Sequence, residues 1–152
     1  MTATPTATPD KDAVSSDLLD RLANFIEPSP ATDQDAIETW HDLAPELPSI
    51  LDDFYAAVDR DPDLRAIYGE RHGQTQSLQA RQTAHWRSLL TEKPGIAFQG
   101  RSIRIAEAHA RIGLPSHWYT AAYGRVLAGA IPALLVQHRR NPAKAQRRIT
   151  TL

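Results

Sequence analysis

The sequence predicts an all-α domain of about seven to eight helices. Apolar side chains recur at helical spacing along nearly the whole chain, proline and glycine separate the segments that carry them, and strand-type alternation is almost absent. With 152 residues, 41 % apolar and 23 % charged, the chain can bury one core. We therefore expect one domain over 15–152 after a polar, proline-containing disordered leader over 1–14.

Four predicted helices occupy the first half of the chain. Each begins at a capping residue or a proline, and a proline or a glycine ends it. The third helix carries an apolar stripe at positions i, i+3, i+4 and i+7, made of Leu51, Phe54, Tyr55 and Val58. The predicted ranges are about 16–26, 33–47, 48–60 and 61–69.

The second half predicts four more helices, over about 75–91, 101–112, 115–139 and 142–152. The helix over 101–112 places His109 on its apolar side together with Ile105 and Ile112. Gly113 suits a left-handed C-cap, and Pro115 suits the first turn of the next helix. In that next helix Pro132 predicts a kink.

Charge is divided unevenly between the two halves. Residues 1–70 contain 16 Asp/Glu and 4 Lys/Arg, whereas residues 71–152 contain 2 Asp/Glu and 13 Lys/Arg. Packing of two oppositely charged halves is the favoured interpretation. The alternatives are a nucleic-acid surface that uses the basic run at 138–148 and an anionic ligand bound by the basic half.

Several classes of protein are excluded or disfavoured by composition and motifs. Without cysteine there are no disulfides and no Cys-type zinc sites. No uninterrupted apolar run reaches the roughly 18 residues of a membrane span, and the N-terminus is unlike a signal peptide. Common nucleotide-binding, metalloprotease and hydrolase motifs are absent. We expect a cytoplasmic, non-enzymatic protein that binds neither membrane nor nucleic acid.

Of the six histidines, only His85 and His109 lie on apolar helix faces. A lone histidine there is more often a structural residue bonded to a backbone carbonyl. Imidazole is also a common axial ligand of haem iron, and haem pockets are apolar slots between helices. Spacing alone therefore permits His109 as a ligand without favouring it.

The segment IAEAHARIGLPSHWYTAAY, residues 105–123, resembles the signature of the globin-coupled sensors, bacterial and archaeal haem proteins related to the protoglobins. Residues 50–65, ILDDFYAAVDRDPDLR, resemble the family segment with the distal tyrosine, and residues 78–90, LQARQTAHWRSLL, resemble its distal-side helix. The likeness spans roughly residues 35–140. The signature residues that match are His109, Arg111, Ile112, Gly113, Leu114, Pro115, Trp118, Tyr119 and Tyr123.

The resemblance implies a globin fold with an extra N-terminal helix, haem b bound through His109 as the proximal iron ligand, and an open sixth position for O2, CO or NO. His85 is the rival axial ligand. Tyr55 matches the distal tyrosine, and Tyr119 is expected near the proximal imidazole. Arg81 or Gln82 stands where some relatives carry a small hydroxyl residue. The expected apolar walls are Phe54, Ile67, Leu78, Ile105, Ile112 and Val126.

In that family the globin domain senses oxygen, for example in aerotaxis, and controls an attached transducer, histidine kinase or diguanylate cyclase. No such module is present here, and the chain stops about ten residues into its last helix. We therefore expect an isolated sensor domain of a longer protein. It is expected to form a homodimer through an apolar seam that includes Leu127, Ile131, Leu134 and Leu135. A haem-free globin-fold signalling or partner-binding domain and a simple oxygen-binding globin remain alternatives.

Overall fold

Seven α-helices and no strand make up the described part of the chain in this computed structural model, which describes residues 32–68, 75–92 and 96–152 together with Arg21. All of these except Arg21 belong to one compact unit, Ala31–Leu152. The expected leader and the expected helix over 16–26 lie outside the described residues, apart from Arg21. The helices are α1 (Asp33–Leu43), α2 (Leu47–Arg60), α3 (Pro62–Tyr68), α4 (Thr75–Thr91), α5 (Ile96–Arg111), α6 (Ser116–Gln137) and α7 (Pro142–Thr151).

The all-α prediction is confirmed, and two helix boundaries were wrong. The second predicted helix ends at Leu43 rather than at residue 47, because Pro45, which follows the C-cap residue Ala44, has no N–H to continue the helical hydrogen bonds. The helix with His109 begins at Ile96, five residues before the expected start, and Gly100 is accommodated inside it. That helix therefore has 16 residues and is longer than the predicted one.

Local capping fixes the ends of several helices. At the start of α1 the Thr32 side chain accepts from the Asp35 N–H, and the Asp35 carboxylate accepts from the Thr32 N–H, which makes a capping box. After α5 the Gly113 backbone has φ 72°, the left-handed conformation that glycine adopts without a steric cost. Gly113 N–H donates to the Ala110 carbonyl and Leu114 N–H to the His109 carbonyl, so the helix ends in a Schellman motif.

The core forms where α2 packs against α4 and α6. Its buried residues from these three helices are Leu47, Leu51, Phe54, Val58, Trp86 and Val126. A second cluster joins Leu43, Leu90 and Ala130 beneath α1. Gly129 of α6 lies against Ile50 of α2, where an added methyl group would come within 3.0 Å of the isoleucine side chain. The apolar stripe that the sequence predicts on α2 therefore contributes half of the buried residues where α2, α4 and α6 meet.

By length and composition α6 could cross a membrane, a property it shares with the core helices of globular domains. Here its buried residues Val126, Ala130 and Leu134 face the protein, where α6 packs against α1, α2 and α7. Leu134 is fully buried, so its expected place in an exposed dimer seam was wrong. The neighbouring Leu135 and Val136 are exposed by 47 % and 63 % instead.

A buried arginine joins the last helix to the first. The Arg148 side chain is 2 % exposed and contacts three carboxylates that share one face of α1. Its Nε donates to Asp42 at 2.8 Å, and its two terminal nitrogens pair with Asp35 and Glu38. His138 Nε2 lies 2.8 Å from the same Asp42 oxygen. Acidic residues of the first half thus neutralise basic residues of the second half, as the charge division predicts.

Candidate functional site

A largely apolar cavity of about 840 Å³ lies among α2, α3, α4, α5 and α6. Its volume falls within the roughly 300–1,000 Å³ of small-molecule and cofactor sites. The helix α5 forms one wall of the cavity. It packs closely against none of the other described helices, because the cavity lies between it and the core. The predicted wall residues Phe54, Leu78, Ile105, Ile112 and Val126 all line the cavity.

One predicted wall residue, Ile67, does not line the cavity. On the short helix α3 the cavity is lined by Leu64 and Tyr68 instead. These two residues are four positions apart and share a helix face, whereas Ile67 is turned about 100° from Tyr68. The prediction that α3 contributes to the cavity wall was right, but Ile67 lies on the adjacent face of that helix.

His109 lies in the last turn of α5 and faces this cavity. Its Nδ1 is 2.9 Å from the Ile105 carbonyl oxygen one turn earlier, and a carbonyl can only accept, so Nδ1 carries the proton. In the neutral ring the other nitrogen, Nε2, then keeps a lone pair. Such a backbone bond to one nitrogen sets the tautomer that makes the other nitrogen a metal ligand.

Tyr55 of α2 and Gln82 of α4 also line the cavity and interact with each other. Burial, helped by the nearby Tyr68, raises the pKa of Tyr55 to about 12, and a hydrogen bond with the Gln82 side chain partly opposes this rise. A hydrogen bond that lowers the pKa of a phenol stabilises the phenolate, so in this bond the Gln82 amide donates to the Tyr55 oxygen. Tyr55 is therefore a protonated phenol, and its own O–H remains available to a ligand.

A second polar group lies in the cavity around Tyr123, one of the signature residues. The Tyr123 hydroxyl is 2.6 Å from His85 Nε2 and 3.2 Å from the Tyr119 hydroxyl. The Tyr119 ring meets the His109 ring edge-on, with centroids 5.1 Å apart. Tyr119 is thus adjacent to the imidazole as expected, while its hydroxyl contacts the Tyr123 hydroxyl.

Four arginines complete the lining and make it electropositive at its edge. Arg101 pairs with Glu92 and donates to the Ser88 hydroxyl at 3.2 Å, and Arg125 donates to the Asp53 carbonyl at 3.4 Å. Within the described ranges, Arg81 and Arg104 form no ion pair. These two side chains are exposed and belong to the helices on either side of the cavity, α4 and α5.

Comparison with known protein families identifies the domain. The family model described as Protoglobin matches residues 15–152, nearly the whole chain. The chain belongs to the Protoglobin family. No curated protein matches it significantly. This protoglobin domain therefore has a globin fold, and globins typically bind haem and, through its iron, diatomic gases.

The cavity of this protoglobin domain fits such a group. Its lining is mostly apolar, and it contains the His109 imidazole, whose Nε2 can bind a metal. Arginine side chains at its edge can pair with the two carboxylates of haem. Among the described residues no group of three or more His, Asp or Glu side chains could hold a bare metal ion. Haem iron needs only one or two protein ligands because the macrocycle supplies the others.

Proposed function

We propose that this domain is a haem-based oxygen sensor, in which haem b is held by His109 and takes up oxygen reversibly. The observation that supports it best is the place of His109 on the wall of a largely apolar cavity of about 840 Å³. Its Nδ1 is committed to the Ile105 carbonyl, so Nε2 is the nitrogen available to iron. Haem, when bound, supplies the iron that coordinates the gas. The domain itself catalyses no reaction in this proposal, and any enzyme activity belongs to an output domain.

The residues of the chain would set how tightly oxygen is held. Tyr55 keeps its proton because of its raised pKa and can donate to bound oxygen, whose outer atom carries partial negative charge. Gln82 donates to the Tyr55 oxygen, which orients the phenol and polarises its O–H bond. Leu78 and Phe54 line the same space with apolar side chains, which offer water no hydrogen-bond partner and so favour the bond from Tyr55.

The Tyr55→Phe variant is expected to release oxygen roughly tenfold faster, because it loses one hydrogen bond of about 1–2 kcal/mol to a partly charged ligand. The measurement is stopped-flow displacement of oxygen by CO from the ferrous protein. CO affinity should change little, since bound CO accepts hydrogen bonds weakly. The Tyr68→Phe variant, which removes a cavity phenol from α3, is the matched control. An equal effect of the two variants would remove Tyr55 from this role.

Arg81 and Arg104 are the proposed partners of the two haem carboxylates, because the other cavity arginines already have described partners. The Arg104→Gln variant is expected to lose haem to apomyoglobin up to about fivefold faster, the range of an exposed ion pair. Haem dimethyl ester, which lacks the negative charges, should be lost equally fast from both proteins. Arg111→Gln is the control, since Arg111 is exposed on the same helix and does not line the cavity. A difference that persists with the ester would contradict the assignment.

We further propose that the domain acts as a cytoplasmic homodimer within a longer signalling protein. The exposed Leu135 and Val136, with the partly buried Leu127 and Ile131, offer an apolar strip on α6 for a second copy. Oxygen binding would move His109 and hence α5 and the start of α6, which the Schellman turn joins directly. A shift in the population of two α6 arrangements would then pass the signal to an output domain.

A further inference from the structure

The hydrogen-bonded pair of Tyr123 and His85 has no part in the proposed oxygen binding. Tyr123 belongs to α6 and His85 to α4, and both side chains are partly buried at the wall of the cavity. The phenol oxygen and His85 Nε2 are 2.6 Å apart, a short hydrogen bond. When the neutral imidazole carries its proton on Nδ1, the phenol donates this bond and Nε2 accepts it.

The protonation states agree with that direction. Burial, with the neighbouring Tyr119, raises the pKa of Tyr123, so the phenol keeps its proton. Burial lowers the pKa of His85, with a smaller contribution from the nearby His109, so its imidazole is neutral and can accept a proton. The Tyr123 oxygen also lies 3.2 Å from the Tyr119 hydroxyl, so the three side chains form one connected polar group.

Aromatic rings also connect this pair to the proposed iron ligand. The Tyr119 ring lies 5.1 Å from the His109 ring and 5.3 Å from the Tyr123 ring, and the Trp86 ring lies 5.6 Å from Tyr123. Such separations are those of rings in edge or tilted contact. An electron leaving Tyr123 therefore has a short contact path, through Tyr119, to His109 and the cavity.

We propose that Tyr123 and His85 form a redox pair that reduces peroxide-oxidised haem: Tyr123 gives up one electron, and its phenolic proton moves to His85 Nε2. The proposal rests on the proposed haem site. The O–H bond of Tyr123 breaks, which leaves a neutral tyrosyl radical and a histidine imidazolium. An external one-electron donor such as ascorbate then returns an electron, and His85 returns the proton. Two such turns supply the two electrons that reduce one hydrogen peroxide, with two protons from the donor, to two waters.

The proton acceptor is what distinguishes Tyr123 from the other cavity tyrosines. A phenol that loses an electron and keeps its proton becomes a cation, and burying an uncompensated charge in an apolar site is costly. His85 removes this cost because it takes the proton as the electron leaves. The described partner of Tyr55, by contrast, is the Gln82 amide, which donates to the phenol and is no base.

The test uses the ferric, haem-loaded protein, with haem content measured first from the Soret absorption. After rapid mixing with hydrogen peroxide and freezing, electron paramagnetic resonance should show a neutral tyrosyl radical in the wild type. Tyr123→Phe should lose that signal. His85→Gln should form it roughly 100-fold more slowly, the lower end of what a positioned proton acceptor contributes. His41→Gln, which changes an exposed histidine on α1 outside the cavity, is the control and should retain it.

The possible results distinguish a failure of the redox pair from a failure of the proposed haem site. An unchanged radical in Tyr123→Phe, or formation at the wild-type rate in His85→Gln, overturns the redox pair and leaves the oxygen sensor standing. A protein that takes up no haem shows no Soret band before peroxide is added, and this overturns the proposed function and the redox pair together. Loss of the signal in Tyr123→Phe and slow formation in His85→Gln, at wild-type haem content, support the pair.

Discussion

The His109→Ala variant is expected to lose the normal haem spectrum, with haem affinity lowered by more than about 100-fold. Changing a group that only supports a metal ligand typically costs 10–100-fold in affinity, and His109 is the proposed ligand itself. Alanine has no donor atom, and the apolar walls that remain hold the macrocycle only by burial. The measurement is haem titration of the purified apoprotein, followed by its Soret and visible absorption in the ferrous state.

Three further variants test whether His109 itself is the iron ligand. Free imidazole should restore the spectrum in His109→Gly, because the removed ring leaves space for it beside Tyr119. His41→Ala, an exposed histidine on α1, is the control and should bind haem normally. If His85→Ala loses the spectrum while His109→Ala keeps it, His85 is the iron ligand. A wild-type protein that binds no haem would instead favour the haem-free signalling domain.

Local sequence determined most of what could be predicted about this fold. Helical spacing located the helices, and Gly113 before Pro115 located the turn after His109, since these signals depend on residues close together in the chain. The same locality explains the two misplaced residues. Periodicity shows that Ile67 and Leu134 lie on helices with apolar faces. Periodicity does not show whether each of these two side chains faces the cavity, the core or solvent.

Some polar contacts join residues far apart in sequence, and so the sequence could not predict them. His85 and Tyr123 are 38 positions apart, and each reads locally as one more residue of an amphipathic helix. The resemblance marked Tyr123 as a signature residue but gave no reason to pair it with His85. Arg148 was one residue of a basic run, and its burial follows only from carboxylates more than 100 positions earlier.

Arg148 lies outside the cavity, and its replacement should cost much of the stability of the domain. The Arg148→Met variant is expected to lower the free energy of unfolding by about 3 kcal/mol, the lower end for breaking a buried ion pair, because its carboxylate partners are partly exposed and regain some water. Urea unfolding followed by circular dichroism measures the loss. Arg147→Met is the matched control: Arg147 is 59 % exposed and 4.0 Å from Asp35, and its loss should cost less than about 1 kcal/mol.

The pH dependence of that loss separates charge from packing. Burial alone would raise the pKa of Asp42, but hydrogen bonds from Arg148 and His138 outweigh it and hold the pKa below its usual value. A carboxyl with a lowered pKa stabilises the fold fully above the unfolded pKa of about 4, and this stability is lost as pH falls through the folded pKa. The gap between wild type and Arg148→Met should therefore be widest near neutral pH and shrink in acid. A gap that stays constant with pH would mean that Arg148 stabilises the protein by filling space, since packing does not titrate.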